Sequence, residues 1–236
     1  METNESKIDV LKELTLADIQ SVFRKAAGEN VKRNWPSVAS CLRNAGYAED
    51  PIMVFYAIAT IRAETGNFSP SEESVSKGSK GRDGRPFGQY DQVALKANGR
   101  PNIRFNQDKT LRLTTSSLGN RAHVGGSYMD PDVSGENTWR DLKGMPRREL
   151  DEVTENDGER FKGGGVVQLT GRRNYTDAGR TLGIDLVNKP ELAAQADAAA
   201  KILVWYLKQH QKEIAQNLKL DPRNYVDARA AVNGKN

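Results

Sequence analysis

Three glutamates stand where their side chains could do proton chemistry. Glu64 closes an apolar stretch containing Met53, Val54, Phe55, Ala57, Ile58, Ala59 and Ile61, immediately before Thr65-Gly66. Glu72 and Glu73 follow it by eight and nine residues. Apolar neighbours disfavour a carboxylate, and so does the negative end of a helix dipole, so a glutamate in that place is expected to hold its proton toward neutral pH. A general acid must be in that form. The plainer alternative is a solvated glutamate in the last turn of a helix. Cleavage of a glycosidic bond needs a second carboxylate, and in an inverting reaction the pair stands about 6.5–9.5 Å apart with water between. Spacing does not choose between Glu72 and Glu73, and both could be ordinary loop acids.

A second stretch is written for close approach. Gly163-Gly164-Gly165 runs into Val166-Val167, then Gln168, Thr170, Asn174 and Tyr175. Glycines let a backbone pass close to another surface or take a positive φ. The two valines read as a short strand. Gln168 and Thr170, two apart, would then share one of its faces, forming a polar floor able to hydrogen-bond a polar ligand. A hairpin turn decorated with polar residues is the alternative.

These residues need elements to hold them. Residues 16–27 read as an amphipathic helix, with Thr15 as its cap, Asp18 in its first turn and Gly28 at its end. Residues 36–44 read as a second helix that Pro36 opens and Gly46 closes. Pro51 opens a third, apolar on nearly every face and expected to be buried, which carries Glu64 at its end. Periodicity then fades over residues 78–158, where short helices or hairpins are expected, for example near 91–97, with a hairpin within 103–115, because a structureless loop of such length is improbable. Residues 174–182 read as a helix closed by Gly183. Pro190 opens another that runs to about His210, and Asp221-Pro222 starts a last one. The sum is an α+β chain, mostly helical, read as a single catalytic domain over 1–236. Its parts are an N-terminal helical region (1–49), the helix and loop of the acid (50–78), an irregular insertion (79–157) and the glycine stretch with the C-terminal helices (158–236).

Composition narrows the classes. A single cysteine, Cys41, excludes an internal disulfide, and two histidines with one cysteine argue against a zinc site. No cofactor is expected. The net charge of +4 favours an anionic target. The basic residues are scattered, though, without interleaved aromatics, so nucleic acid is not the expected partner. No apolar run has the length of a membrane span. The first residues are polar and lack the apolar core of a signal peptide.

Ala63-Glu64-Thr65-Gly66 resembles the His-Glu-Thr-Gly segment of family-19 glycoside hydrolases. The run from Gly163 through Gln168-Leu169-Thr170 to Asn174-Tyr175 is similar to that family's Gly-Arg-Gly-(apolar)-(apolar)-Gln-Leu-(Thr/Ser) cleft segment, which ends in Asn-Tyr. Leu182-Gly183-Ile184-Asp185-Leu186, Asn188-Lys189-Pro190-Glu191-Leu192, the aromatic helix around 200–206 and Ala228-Arg229-Ala230-Ala231-Val232-Asn233-Gly234 resemble its continuation. The resemblance implies a lysozyme-like, mostly helical fold of two lobes with a cleft between them, and an inverting, metal-free mechanism. It implies Glu64 as general acid and Glu73, or Glu72, as the base that activates water. Thr170 would hold that water. Gln168, Asn174, Arg229 and Asn233 would bind the sugar chain, and Tyr175 would pack beside it. Two positions depart from the pattern. Ala63 stands where the family has histidine, and Gly164 where it has arginine, a change expected to loosen the loop or alter its charge. The chain also stops just after the last motif, as a short member or a truncated chain would.

The expected activity is hydrolysis of β-1,4 bonds in peptidoglycan strands, in the manner of an endolysin. Chitin or chitosan are the alternative substrates, and an inactive glycan-binding module is the alternative of another class. The expected partner is a polysaccharide, bound by a monomer without membrane insertion. The chain would be made in the cytoplasm and reach the cell wall after release or delivery.

Overall fold

The computed structural model describes residues 8–75, 86–87, 104–105, 111–112 and 157–219. Helices dominate them. The chain divides into two compact units. One is Met1–Ser71 with Gly165–Val167 and Ala194–Asn236, and the other is Glu72–Gly164 with Gln168–Ala193.

The first unit begins with α1 (Val10–Glu13), whose cap Asp9 also accepts two hydrogen bonds from the Arg43 guanidinium, at 2.7 and 3.2 Å. That guanidinium holds the Asp9 carboxyl below the usual carboxylate range. In α2 (Leu16–Val22) the expected cap forms in both directions: Asp18 N–H donates to Thr15 Oγ1 at 3.1 Å, and Thr15 N–H donates to Asp18 Oδ2 at 2.9 Å. The helix stops at Val22 rather than continuing to Ala27. Phe23 is extended there (φ −105°, ψ 172°), and its ring is buried edge-on against Phe68, 4.9 Å between centroids. A short 3-10 turn (Lys25–Ala27) follows, and Gly28 opens the next helix instead of ending this one.

That helix, α3 (Gly28–Asn44), carries Pro36 in its interior, not at its first position. Val31, Trp35, Val38 and Leu42 form one buried stripe across the proline. Burial of that stripe outweighs the missing hydrogen bond. Gly46 (φ 84°) turns the chain out, and Tyr47 N–H returns to Leu42 O at 3.0 Å.

α4 (Pro51–Thr65) starts as its sequence prescribes, with Pro51 in the first turn and Met53 N–H on Asp50 Oδ1 at 3.1 Å. Met53, Val54, Ala57, Ile58 and Ile61 are buried against the rest of the unit. The helix is not buried all round, because Phe55 is 54% exposed. Gly66, left-handed at φ 66°, ends it. The loop beyond is pinned to α3: Asn30 Nδ2 donates to Asn67 O at 3.0 Å, and the buried Asn34 donates to Phe68 O at 2.9 Å. α3 and α4 both pack on the last described helix, Ala196–Lys219, in which Ala200, Leu203, Leu207 and Ile214 are buried. The expected single helix from Pro190 is two pieces, a 3-10 turn over Pro190–Ala194 and then the long helix, whose first turn hangs on Gln195 O.

In the second unit the expected hairpin forms. β2 (Arg104–Phe105) pairs antiparallel with β3 (Leu111–Arg112), Arg104 opposite Arg112 and Phe105 opposite Leu111; β1 is Ser71–Glu72. A short helix, α5 (Asp157–Arg160), leads into the glycine stretch, where β4 is only Gly164–Gly165. α6 (Arg172–Leu182) follows and is closed by Gly183 at φ 67°, as its sequence indicates; the long helix Ala196–Lys219 is α7. The short helix or hairpin expected near 91–97 and the helix expected from Asp221 lie outside the described residues.

Candidate active site

Glu64 sits in the last turn of α4, half-exposed, one residue before Thr65 and the left-handed Gly66. Thr65 Oγ1 donates back to Ile61 O at 2.8 Å, which tightens that turn. Ala63, in the place of the histidine, points its methyl outward. Glu64 belongs to the first unit.

The two candidate bases are neighbours in sequence with different surroundings. The Glu72 carboxylate is exposed and paired with Lys162 Nζ at 2.7 Å. The Glu73 side chain turns to the glycine stretch. Its carboxylate Oε2 accepts from Gly163 N–H at 3.2 Å, while its own N–H donates to Gly163 O at 2.6 Å. Alternation along an extended segment accounts for this division, because adjacent side chains point to opposite sides.

The glycine stretch is a closed loop. Gly164 N–H donates to Leu169 O at 3.0 Å, and Leu169 N–H donates to Gly164 O at 2.8 Å. Gly171 N–H donates to Phe161 O at 2.8 Å and shuts the base. Val166-Val167 is therefore the tip of a turn and not a strand, with Gly165 at φ 76° and Gln168 at φ 51°. Hydrogen bonds across Gly164 and Leu169 prevail over the β propensity of the valines. Gln168 and Thr170 consequently do not share the face of a strand. Thr170 Oγ1 donates to Gln168 O at 2.8 Å, which orients its oxygen as an acceptor. Asn174 Nδ2 donates to Thr170 O at 2.9 Å.

Two polar side chains crowd Gly163. A Cβ there would lie 2.7 Å from Gln168 Oε1 and 3.1 Å from Glu73 Oε2. Glu73 and Gln168 thus both approach the same glycine. At Gly164 a Cβ would strike the Tyr175 hydroxyl. The Gly164 position, expected to loosen the loop, is instead buried and hydrogen-bonded on both sides.

Tyr175 lies behind the loop, 2% exposed, with its ring edge-on to Phe161 at 5.3 Å and its hydroxyl donating to Lys162 O at 2.9 Å. Burial, and then the charges of Glu72 and Glu73, push the phenol well above its ordinary range, so it stays a neutral donor. Its observed contacts are with protein rather than an open surface. Phe161 is itself fully buried, with the Arg172 guanidinium 4.5 Å from its ring centre.

Sequence reasoning missed Lys162. Its ammonium holds Glu72, its carbonyl holds Tyr175, and it lies 5.8 Å from the centre of the buried Phe87 ring. The only signal was its place between Phe161 and the glycines. Arg229 and Asn233 lie outside the described residues, as does most of the insertion at 79–157. Among the described residues no group of His, Cys, Asp and Glu is arranged to hold a metal, and no helix is long and apolar enough to cross a membrane.

Residues 139–231 match the family model described as chitinase class I, of glycoside hydrolase family 19. The chain is similar to acidic endochitinase Q of Nicotiana tabacum, 31% identical over 126 residues, which is 51% of this chain and 45% of that protein. It is also similar to an acidic 27 kDa endochitinase of Solanum lycopersicum, 46% identical over 50 residues, 21% of this chain and 20% of that one. The chain thus spans less than half the length of either relative.

Proposed function

We propose, from the match of residues 139–231 to the chitinase class I model, that the chain is a family-19 glycoside hydrolase and hydrolyses β-1,4 bonds of N-acetylglucosamine-containing glycans with inversion. Glu64 is the acid that protonates the departing glycosidic oxygen. Glu73 takes the proton of the attacking water, whose oxygen bonds to the anomeric carbon as the old bond breaks. The observation that carries the reading is that the Glu73 and Gln168 side chains both approach Gly163, Glu73 with its carboxylate on the Gly163 N–H. It gives a carboxylate fixed by a backbone N–H beside a carboxamide able to bind a sugar. Thr170 presents an acceptor oxygen for the water, and Asn174 and Gln168 take the sugar's hydroxyl and acetamido groups. Arg229 and Asn233 complete the sugar contacts in this proposal.

Peptidoglycan is the finer proposal, supported by the net charge of +4, which favours an anionic wall polymer. Chitin is the second reading, favoured by the two endochitinase relatives. Delivery from the cytoplasm to the wall, as a monomer, belongs to the first reading.

The test is mass analysis of fragments released from purified sacculi and from chitin oligomers, with wild type and Glu64→Gln. New reducing ends that depend on Glu64 support hydrolysis, and the substrate that yields them selects the reading. Binding without new ends over long incubation makes the chain a glycan-binding module.

A further inference from the structure

We infer that Lys162 is a positioning residue that decides which of the two adjacent acids serves as base, by holding Glu72 out of the Glu73 site. The inference rests on the functional reading above. Glu72 and Glu73 are bonded neighbours, and both bear on Tyr175 electrostatically. Alternation turns the two carboxylates to opposite sides, and Lys162 fixes Glu72 on its own side, away from the donor that Glu73 uses. Its ammonium lies 2.7 Å from Glu72 Oε2, with its side chain only 24% exposed and set against the Phe87 ring. A half-buried lysine set against an aromatic ring has less freedom than a surface lysine, which offsets part of the screening at the 43% exposed Glu72 carboxylate.

The backbone of the same residue completes the device. Lys162 O receives the Tyr175 hydroxyl, and the next residue, Gly163, exchanges both of its backbone groups with Glu73. One short segment therefore anchors Glu72 by a side chain and Glu73 by a backbone. Without the ammonium, Glu72 is a second carboxylate beside Glu73 with its counter-charge gone. It would then repel Glu73 and contend for the Gly163 N–H.

The experiment is a set of five proteins assayed on the glycan that wild type cuts: Glu72→Gln, Glu73→Gln, Lys162→Met, Lys162→Arg and Lys162→Met with Glu72→Gln. Methionine keeps the apolar stem beside Phe87. Glu72→Gln is expected to stay within about twofold of wild type, whereas Lys162→Met loses about tenfold in kcat at unchanged KM, the loss typical of a catalytic group held slightly out of place. Lys162→Arg restores most of the rate. The double variant also recovers, to within about threefold of wild type, because the carboxylate that did the harm is gone. A merely structural lysine would leave the double variant as impaired as Lys162→Met, and that result overturns the inference. So does a Lys162→Met protein with the full wild-type rate, or a Glu72→Gln loss as deep as that of Glu73→Gln. A wild type that cuts no glycan overturns the functional reading instead, and is seen before any variant is made.

Discussion

A Cβ on Gly164 would run into the hydroxyl of Tyr175. The hydroxyl is held in place, because it donates to Lys162 O at 2.9 Å from a ring that is 2% exposed. Gly164→Ala must therefore move the loop or the ring, at a cost of about 1–3 kcal/mol. Tyr175→Phe removes the obstructing oxygen together with its hydrogen bond. The two changes combined are expected to cost less than the sum of the separate costs. Urea unfolding of the three variants measures it, and strict additivity would contradict the contact.

Tyr175 also predicts a pH dependence. Its phenol is raised in the folded protein, whereas in the unfolded chain it ionises near pH 10 (about 10 for a free tyrosine). The stabilisation is complete below that ordinary value. It is lost as the pH rises from there toward the folded value, because the unfolded state gives up its proton first, by at most about 1.4 kcal/mol for each pH unit. Stability measured between neutral pH and strong alkali should fall less steeply in Tyr175→Phe than in wild type.

Asn34 bonds a carbonyl inside the first unit, and its replacement leaves Phe68 O unsatisfied. Asn34→Ala is expected to cost about 1–3 kcal/mol. Asn30, which makes the analogous bond to Asn67 O at an exposed position, should cost less. Equal losses in thermal or denaturant unfolding would show that burial does not separate the two.

Glu73→Gln should lower kcat by about a hundredfold or more, the range of a lost general base. Gly163→Ala, which would place a methyl 2.7 Å from Gln168 Oε1 and 3.1 Å from Glu73 Oε2, should also lower kcat, with a smaller effect on stability than on rate. Initial rates on the preferred glycan, beside circular dichroism spectra, separate the two effects.

On α4, Ile58 and Phe55 stand one turn apart with opposite fates, 3% and 54% exposed. Ile58→Ala is expected to destabilise by about 2–5 kcal/mol, and Phe55→Ser to stay within about 0.5 kcal/mol. A large loss at Phe55 would mean that this face is covered.

What was legible in the sequence is what a few neighbouring residues decide. Thr15 with Asp18, Pro51, Gly66 and Gly183 all act within one turn, and each does in the fold what its type prescribes. The misread places depend on distant partners. α2 breaks at Phe23 because Phe68 offers a ring to pack on. α3 runs through Pro36 because residues on both sides of it share one buried stripe. The valines after the glycines form a turn because Gly164 and Leu169 bond across them. The site divides the same way. Residue types located Glu64 and the glycine stretch. Nothing local distinguishes Glu72 from Glu73, which are separated by Lys162 and Gly163, some ninety positions on.

Asn30 and Asn34, one turn apart on α3, grip two successive carbonyls just beyond the end of α4. A helix has a fixed rise, so these two carboxamides act as a gauge on the chain passing over them. Loss or gain of one residue between Gly66 and Phe68 would slide the carbonyls off both donors at once. The segment that leads from Glu64 to Glu73 is therefore calibrated in length at its start, and drift in length among descendants of this sequence should accumulate elsewhere.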